Sequence, residues 1–214
     1  MTRIDAMGVA GKEAAVRDWV RRRLGSVEHE LRVARVAETL FRLTERFHGM
    51  GGAERRLLLL GALVHDVGRV VEDAGHERHG ARMLLENTSL PLGESERRRL
   101  AYLARHHKGR VPEEGEDGIL QIRDGGADAG MKMRSLLGLL RTADGLDSRS
   151  MAAPPRLVIS VRGRELVIRG YVHGSAEMAA GELGRPKKLR LMQESLGVDV
   201  RVEWYSMDAV ALVA

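Results

Sequence analysis

The sequence predicts a mainly α protein: a helical bundle followed by a small C-terminal α+β tail. Three observations lead there. Only 3% of the 214 residues are aromatic against 43% hydrophobic, so the core has to come from Leu, Val, Ala and Met, a composition that favours helices. Apolar residues recur at helical spacing through most of the chain up to Pro154. Beyond Pro154-Pro155 the texture changes to the period-two alternation of strands. The expected division is therefore a helical domain over 1–152 and a small α+β subdomain over 153–214 packed on it.

Residues 12–24 have the spacing of a short amphipathic helix, broken by Gly25-Ser26, and Ser26 is suited to cap the next helix. Residues 27–48 then form a long helix with Leu31, Val33, Ala34, Val36, Ala37, Leu40, Phe41 and Leu43 as its apolar positions, and His29 in its first turn. Gly49-Met50-Gly51-Gly52 ends it. Residues 53–67 are apolar on nearly every face from Leu57 to Val67, which marks a central helix. Further helices follow over 76–86 and 94–107, separated by a turn at Pro91 and Gly93. The stretch 109–130, rich in Gly and acids and without periodicity, reads as a surface loop. Helical spacing resumes over 131–146 and delivers Asp144 near the C-terminal end. In the tail, LVISV and LVIRGYV flank Arg162-Gly163-Arg164-Glu165 as a β-hairpin, residues 175–196 are helical, and VDVRVEWY is a third strand.

Composition narrows the function. The chain has no Cys, which removes disulfides and thiolate metal sites, so any metal has to use imidazole and carboxylate ligands. No apolar run approaches the roughly 20 residues that cross a bilayer, and the N-terminal residues lack the apolar segment of a secretory signal. A cytoplasmic protein that does not enter membranes is expected. The net charge of +5 attracts anions such as nucleotides or polyphosphate. The clusters Arg21-Arg22-Arg23, Arg55-Arg56 and Arg97-Arg98-Arg99 read as solvated helix faces, as do Lys187-Lys188 and Arg190 in the tail. With so few aromatics to stack on bases, nucleic acid is a poor candidate partner.

The pair His65-Asp66 carries the most information. It ends the apolar run LLLLGALVHDVG, and an imidazole and a carboxylate at the tip of a buried helix are costly to desolvate unless a cation receives them. Asp144 has the same problem after LLGLLRTA. With His29, His79 and His107, also near predicted helix ends, these residues form a candidate donor set. His29, His65, Asp66 and Asp144 would complete one site, whereas adding His79 and His107 allows a second ion with Asp66 as bridge. One or two divalent ions fit, and Mn, Fe, Mg, Ni, Co and Zn all accept such ligands. His48 and His173 read as structural or solvated, and so do His76 and His106, each with a better-placed neighbour. Divalent ions of this kind lower the pKa of bound water and hold a phosphoryl oxygen. Arg69, Lys108 and Arg149 each lie just past a proposed ligand and are the candidate phosphate clamps; Asp66, Arg69 and Lys108 form the expected catalytic group.

The series His29, His65-Asp66, His79, His107, Asp144 resembles the ligand series of the HD phosphohydrolase superfamily. The segments ALVHDVGR, HGARMLL, ARHHKG and LLRTADGLDSR look like the HD domain at the C-terminal side of exopolyphosphatase/guanosine pentaphosphatase proteins. The motifs around His79, His107 and Asp144 are also similar to stand-alone HD enzymes that split dinucleoside tetraphosphates with a two-metal centre, which implies six ligands. The resemblance implies a metal-dependent phosphohydrolase acting on a phosphate ester or phosphoanhydride of a nucleotide or other small phosphorylated substrate. The alternative is a non-catalytic module binding nucleotide, polyphosphate or protein, since the chain has no Gly-rich phosphate loop of the larger relatives. A homodimer is compatible with the tail.

Overall fold

The computed structural model describes residues 9–113, 118–119, 126–149 and 153–210. Helix α1 (Val9–Leu24) buries Val16, Trp19 and Val20, one helical stripe. Helix α2 (Glu28–Leu43) buries Val33, Ala37, Leu40 and Phe41 on one face, with Glu30 continuing the stripe at its start. The long helix expected over 27–48 is broken at Thr44. Its buried hydroxyl donates to the Leu40 carbonyl at 2.7 Å, the local bond by which Thr competes with helix continuation, and a single turn, α3 (Glu45–His48), follows. Helix α4 (Gly52–Val64) is central, with Leu57, Leu58 and every residue from Leu60 to Val64 buried.

A 3-10 turn (Val67–Val70) leads to α5 (His76–Glu86) and α6 (Glu94–His106). Helix α7 (Gly126–Gly145) begins inside the stretch expected to be loop, and Asp128 in its first turn pairs with Lys132 at 2.9 Å. Of the rest of that expected loop, residues 114–117 and 120–125 lie outside the described residues.

The tail has the expected mixture. Strands β1 (Arg156–Arg162) and β2 (Glu165–Val172) form an antiparallel hairpin around Gly163-Arg164, with Gly163 at φ 59°. Strand β3 (Asp199–Ser206) adds to β2 in parallel, in the order β1-β2-β3. The helix expected over 175–196 is two, α8 (Ala176–Glu182) and α9 (Pro186–Leu196). The break has two local causes, Gly184 at φ 63° and Pro186 in the first turn of α9. A last turn, α10 (Met207–Val210), closes the described chain.

Helix α9 lies along α7, and one apolar cluster runs from Val16 in α1 through Leu136 and Leu140 of α7 to Leu166 of β2 and Met192 of α9. The close approach depends on Gly138, where a Cβ would stand 2.8 Å from the Met192 backbone. We expect Gly138→Val to lower stability by about 1–3 kcal/mol through overpacking, read by thermal or urea denaturation. An unchanged midpoint would mean that α9 is not seated on α7.

A candidate metal centre at the helix ends

Each donor sits where a helix begins or ends. His29 is in the first turn of α2, His65-Asp66 directly follows α4, His76 opens α5, His107 follows α6, and Asp144 lies in the last turn of α7. Two glycines bring the third of these to the second. A Cβ on Gly68 would lie 2.0 Å from the His76 carbonyl oxygen and 2.4 Å from Gly80 N, so the 3-10 turn touches the backbone of α5. This close approach sets α5 beside the turn, with His76 Nε2 3.1 Å from Asp66 Oδ1.

The donors form two groups, His29 with His65 and Asp144, and Asp66 with His76 and His107. In the first, His29 Nε2 is 3.6 Å and His65 Nε2 3.5 Å from Asp144 Oδ1. In the second, Asp66 Oδ1 is 3.1 Å from His76 Nε2 and 3.5 Å from His107 Nε2. Asp66 also links them, with Oδ1 3.8 Å from His65 Nε2 and Oδ2 3.9 Å from His29 Nε2.

All four imidazoles are oriented alike. The Nδ1–H of His65, His76 and His107 donates at 2.8 Å to the carbonyls of Ala62, Asp73 and Ala104, and that of His29 donates to Asp147 Oδ2 at 2.9 Å. A carbonyl oxygen only accepts, so Nδ1 carries a proton and Nε2 points inward, offering its lone pair whenever the ring is neutral. His76 and His107 thus bring Nε2 atoms to 3.2 Å of each other beside a carboxylate oxygen, and buried His65 Nε2 has no hydrogen-bond partner. Imidazole Nε2 atoms and carboxylate oxygens gathered in this way attract positive charge, as added protons or as a metal ion, and the two donor groups could hold one. Divalent ions that take imidazole and carboxylate ligands fit this donor set.

The electrostatics agree. Burial opposes ionisation of Asp66, but the imidazoles of His65, His107 and His76 outweigh it and hold the carboxyl far below the usual range. Asp144 is held low against burial by His29, His65 and Lys188. Burial also disfavours a charged His65, yet Asp66 and Asp144 push its pKa up to about 9. Burial prevails at His107 and lowers its pKa. The centre therefore draws positive charge, which a divalent ion supplies while leaving its ligands deprotonated.

Around the donors lies a supporting ring. Arg69 Nε donates to Asp66 Oδ2 at 2.7 Å and Arg149 Nε to the same oxygen at 3.1 Å, while Arg149 also binds buried Glu30. Asp147, which orients His29, accepts from Arg32 Nε at 2.9 Å. Lys188 of the tail reaches Asp144 Oδ2 at 2.5 Å. Asp66, Arg69, Asp147, Arg149 and Lys188 border a cavity of about 880 Å³, which Lys108 and Lys187 also line.

The structure brings five of the six expected donors together and leaves one out. His79 is a corrected position: its side chain is 28% exposed and 3.9 Å from Glu72, and it belongs to neither group. The 3-10 turn meets α5 at the His76 carbonyl and Gly80 N, and His76 there faces Asp66 and His107, whereas the His79 side chain turns to the surface near Glu72. His76, read from the sequence as structural, takes the expected place of His79 in the donor set. Of the expected clamps, Arg69 and Arg149 grip Asp66, and Lys108 is an exposed cavity residue. His48 bonds to the Phe41 carbonyl, His106 packs on Tyr102, and His173 pairs with Asp208. Sequence reasoning also missed Glu30, Asp147 and Lys188. Glu30 left a signal, an acid at a core position of the α2 stripe. Asp147, three residues after Asp144, left a weaker one.

The fold and site define a class: a helical domain whose helix ends converge on a buried histidine and aspartate cluster able to hold metal. Residues 16–154, more than half of the chain, match the model of the family described as Ppx/GppA phosphatase, domain III, and the chain belongs to that family. No curated protein matches it. The matched range ends before β1, so the sheet, α8 and α9 lie beyond it.

Proposed function

We propose that this protein is a metal-dependent phosphohydrolase of the HD type, cleaving a phosphate ester or phosphoanhydride of a nucleotide or another small phosphorylated molecule. One observation carries the proposal: four imidazoles tied at Nδ1 all turn Nε2 toward two ionised carboxylates. His29, His65 and Asp144 would hold one ion, His76 and His107 a second, with Asp66 shared. Bound there, divalent ions would lower the pKa of water and polarise a phosphoryl oxygen.

The chain's own groups account for the rest. The neighbouring imidazoles, and Lys188 at Asp144, favour the ionised form of Asp66 and Asp144, so both would serve as anionic ligands. Arg69 and Arg149 fix the Asp66 carboxylate and place guanidinium charge where phosphoryl oxygens would approach. Lys108, on the cavity wall, adds a mobile charge. In the net reaction water oxygen bonds to phosphorus, the bond to the leaving oxygen breaks, and that oxygen gains a proton.

The decisive assay incubates metal-replete protein with a panel of phosphoesters and phosphoanhydrides. Metal-dependent release of phosphate or nucleotide is expected, and no turnover across the panel rejects the proposal. Membership of a family that covers a single domain of the Ppx/GppA phosphatases favours a second reading, a non-catalytic module. Ligand binding without hydrolysis, indifferent to chelator, would establish it. A related contrast concerns α5. His76→Ala is expected to remove one bound metal equivalent and His79→Ala none, read by elemental analysis; the reverse result would restore the sequence-based assignment of His79.

A further inference from the structure

Three of the four inward-facing imidazoles are oriented locally. His65, His76 and His107 each donate Nδ1–H to the carbonyl of the residue three positions earlier. His29 is the exception: its Nδ1 lies 2.9 Å from Asp147 Oδ2, a partner 118 residues further along the chain. One turn grips both nitrogens of this ring. The Asp147 backbone N–H donates to the Asp144 carbonyl at 3.4 Å, and fully buried Leu146 anchors the turn between them. Asp144 Oδ1 therefore stands 3.6 Å from His29 Nε2 while Asp147 holds the opposite side of the ring. Asp147 is only 8% exposed, a costly place for a carboxylate. Among the described residues its side chain bonds only through Oδ2, to His29 and to Arg32 Nε at 2.9 Å, and buried Oδ1 has no partner. Arg32 is partly exposed and has water as an alternative partner, so the contact that accounts for burying this carboxylate is the one to His29.

We infer that Asp147 is a positioning residue for the first ion, acting through His29 on the group formed by His29, His65 and Asp144. A negative charge at the outer nitrogen fixes the tautomer and the ring orientation, and it strengthens the inner nitrogen as a donor. His29 takes its orientation from this one long-range contact, so the aim of the ring depends on the turn after α7. The second group is built differently. His76 and His107 are oriented by backbone carbonyls alone, and neither touches Asp147. The two ions therefore differ in what holds them: loss of the Asp147 carboxylate weakens the first and spares the second. The inference rests on the metal-dependent reading of the site, but ion binding does not require turnover.

The test titrates the full chain, stripped of metal by chelator, with cobalt(II) chloride, followed by calorimetry and by the visible absorption of the bound ion. Two binding events are expected in the parent. Asp147→Ala should weaken one of them about tenfold or more and change its absorption, with the other altered less than about twofold. Asp147→Asn keeps an oxygen that accepts from Nδ1–H but loses the charge, so the same event should weaken about threefold to tenfold. The Asn variant decides the matter alone if the Ala variant does not fold. Arg32→Ala removes the other partner of Asp147 and should change neither event more than about twofold. The inference is overturned if Asp147→Asn binds cobalt as the parent does, if both events weaken equally, if Arg32→Ala reproduces the loss, or if the parent binds no cobalt. The two proposals fail separately. A chain whose cobalt binding depends on Asp147 but that turns over no substrate keeps the positioning residue and loses the hydrolase. Hydrolysis with cobalt binding indifferent to Asp147 keeps the hydrolase and loses the positioning residue.

Discussion

Asp66→Asn is expected to reduce metal-dependent hydrolysis by at least about a thousandfold, equivalent to about 4 kcal/mol of transition-state stabilisation. The size follows from how much converges on one carboxylate. Its Oδ1 faces His65, His76 and His107, and its Oδ2 faces His29 and receives Arg69 and Arg149. Asn keeps the shape but removes the charge that attracts ions to both donor groups. It also leaves two guanidinium groups without their shared anion, although both are partly exposed and can turn to water. The measurement is initial rate at saturating metal, together with the rise in melting midpoint that metal gives the parent. A folded variant retaining a tenth of the activity would remove Asp66 from the chemistry.

Gly68→Ala is expected to have the second largest effect, and for a backbone reason. The added methyl would stand 2.0 Å from the His76 carbonyl and 2.4 Å from Gly80 N, distances that only a shift of α5 relieves. The turn and helix would separate, His76 would withdraw from Asp66, and the second donor group would open. We expect a stability loss of about 3 kcal/mol, at the upper end of overpacking costs, and the loss of one bound metal equivalent. Gly80→Ala is the informative companion, since its Cβ would approach Gly68 N no closer than 3.3 Å. Its effect should be the smaller of the two. Equal effects would show that the contact does not set the position of His76.

Much of the fold was readable because it follows from local periodicity. The helix expected over 76–86 is α5 itself, the central helix appears as α4, and the change of texture after Pro155 gives the hairpin. The departures arise where a single side chain or a glycine overrides that pattern: the Thr44 hydroxyl, Gly184 before Pro186, and the start of α7. At the site, His65-Asp66 and Asp144 were legible as charges stranded in apolar helices. The choice between His76 and His79 was not, because both lie on one helix three residues apart. The structure groups His76, not His79, with Asp66 and His107, and the way α5 sits against the turn at Gly68 is a tertiary fact. For the same reason Lys188 looked like surface charge: only the packing of α9 on α7 brings it to Asp144.

Six nitrogen and oxygen donors, five of them on buried residues, meet at the helix ends and are proposed to constitute a metal centre. Elemental analysis of the full chain purified without chelators tests it most directly. Two divalent equivalents per chain are expected, removable by chelator with a fall in melting midpoint. Protein that emerges folded and metal-free, and takes up no Mn, Fe, Mg, Ni, Co or Zn on reconstitution, would contradict it.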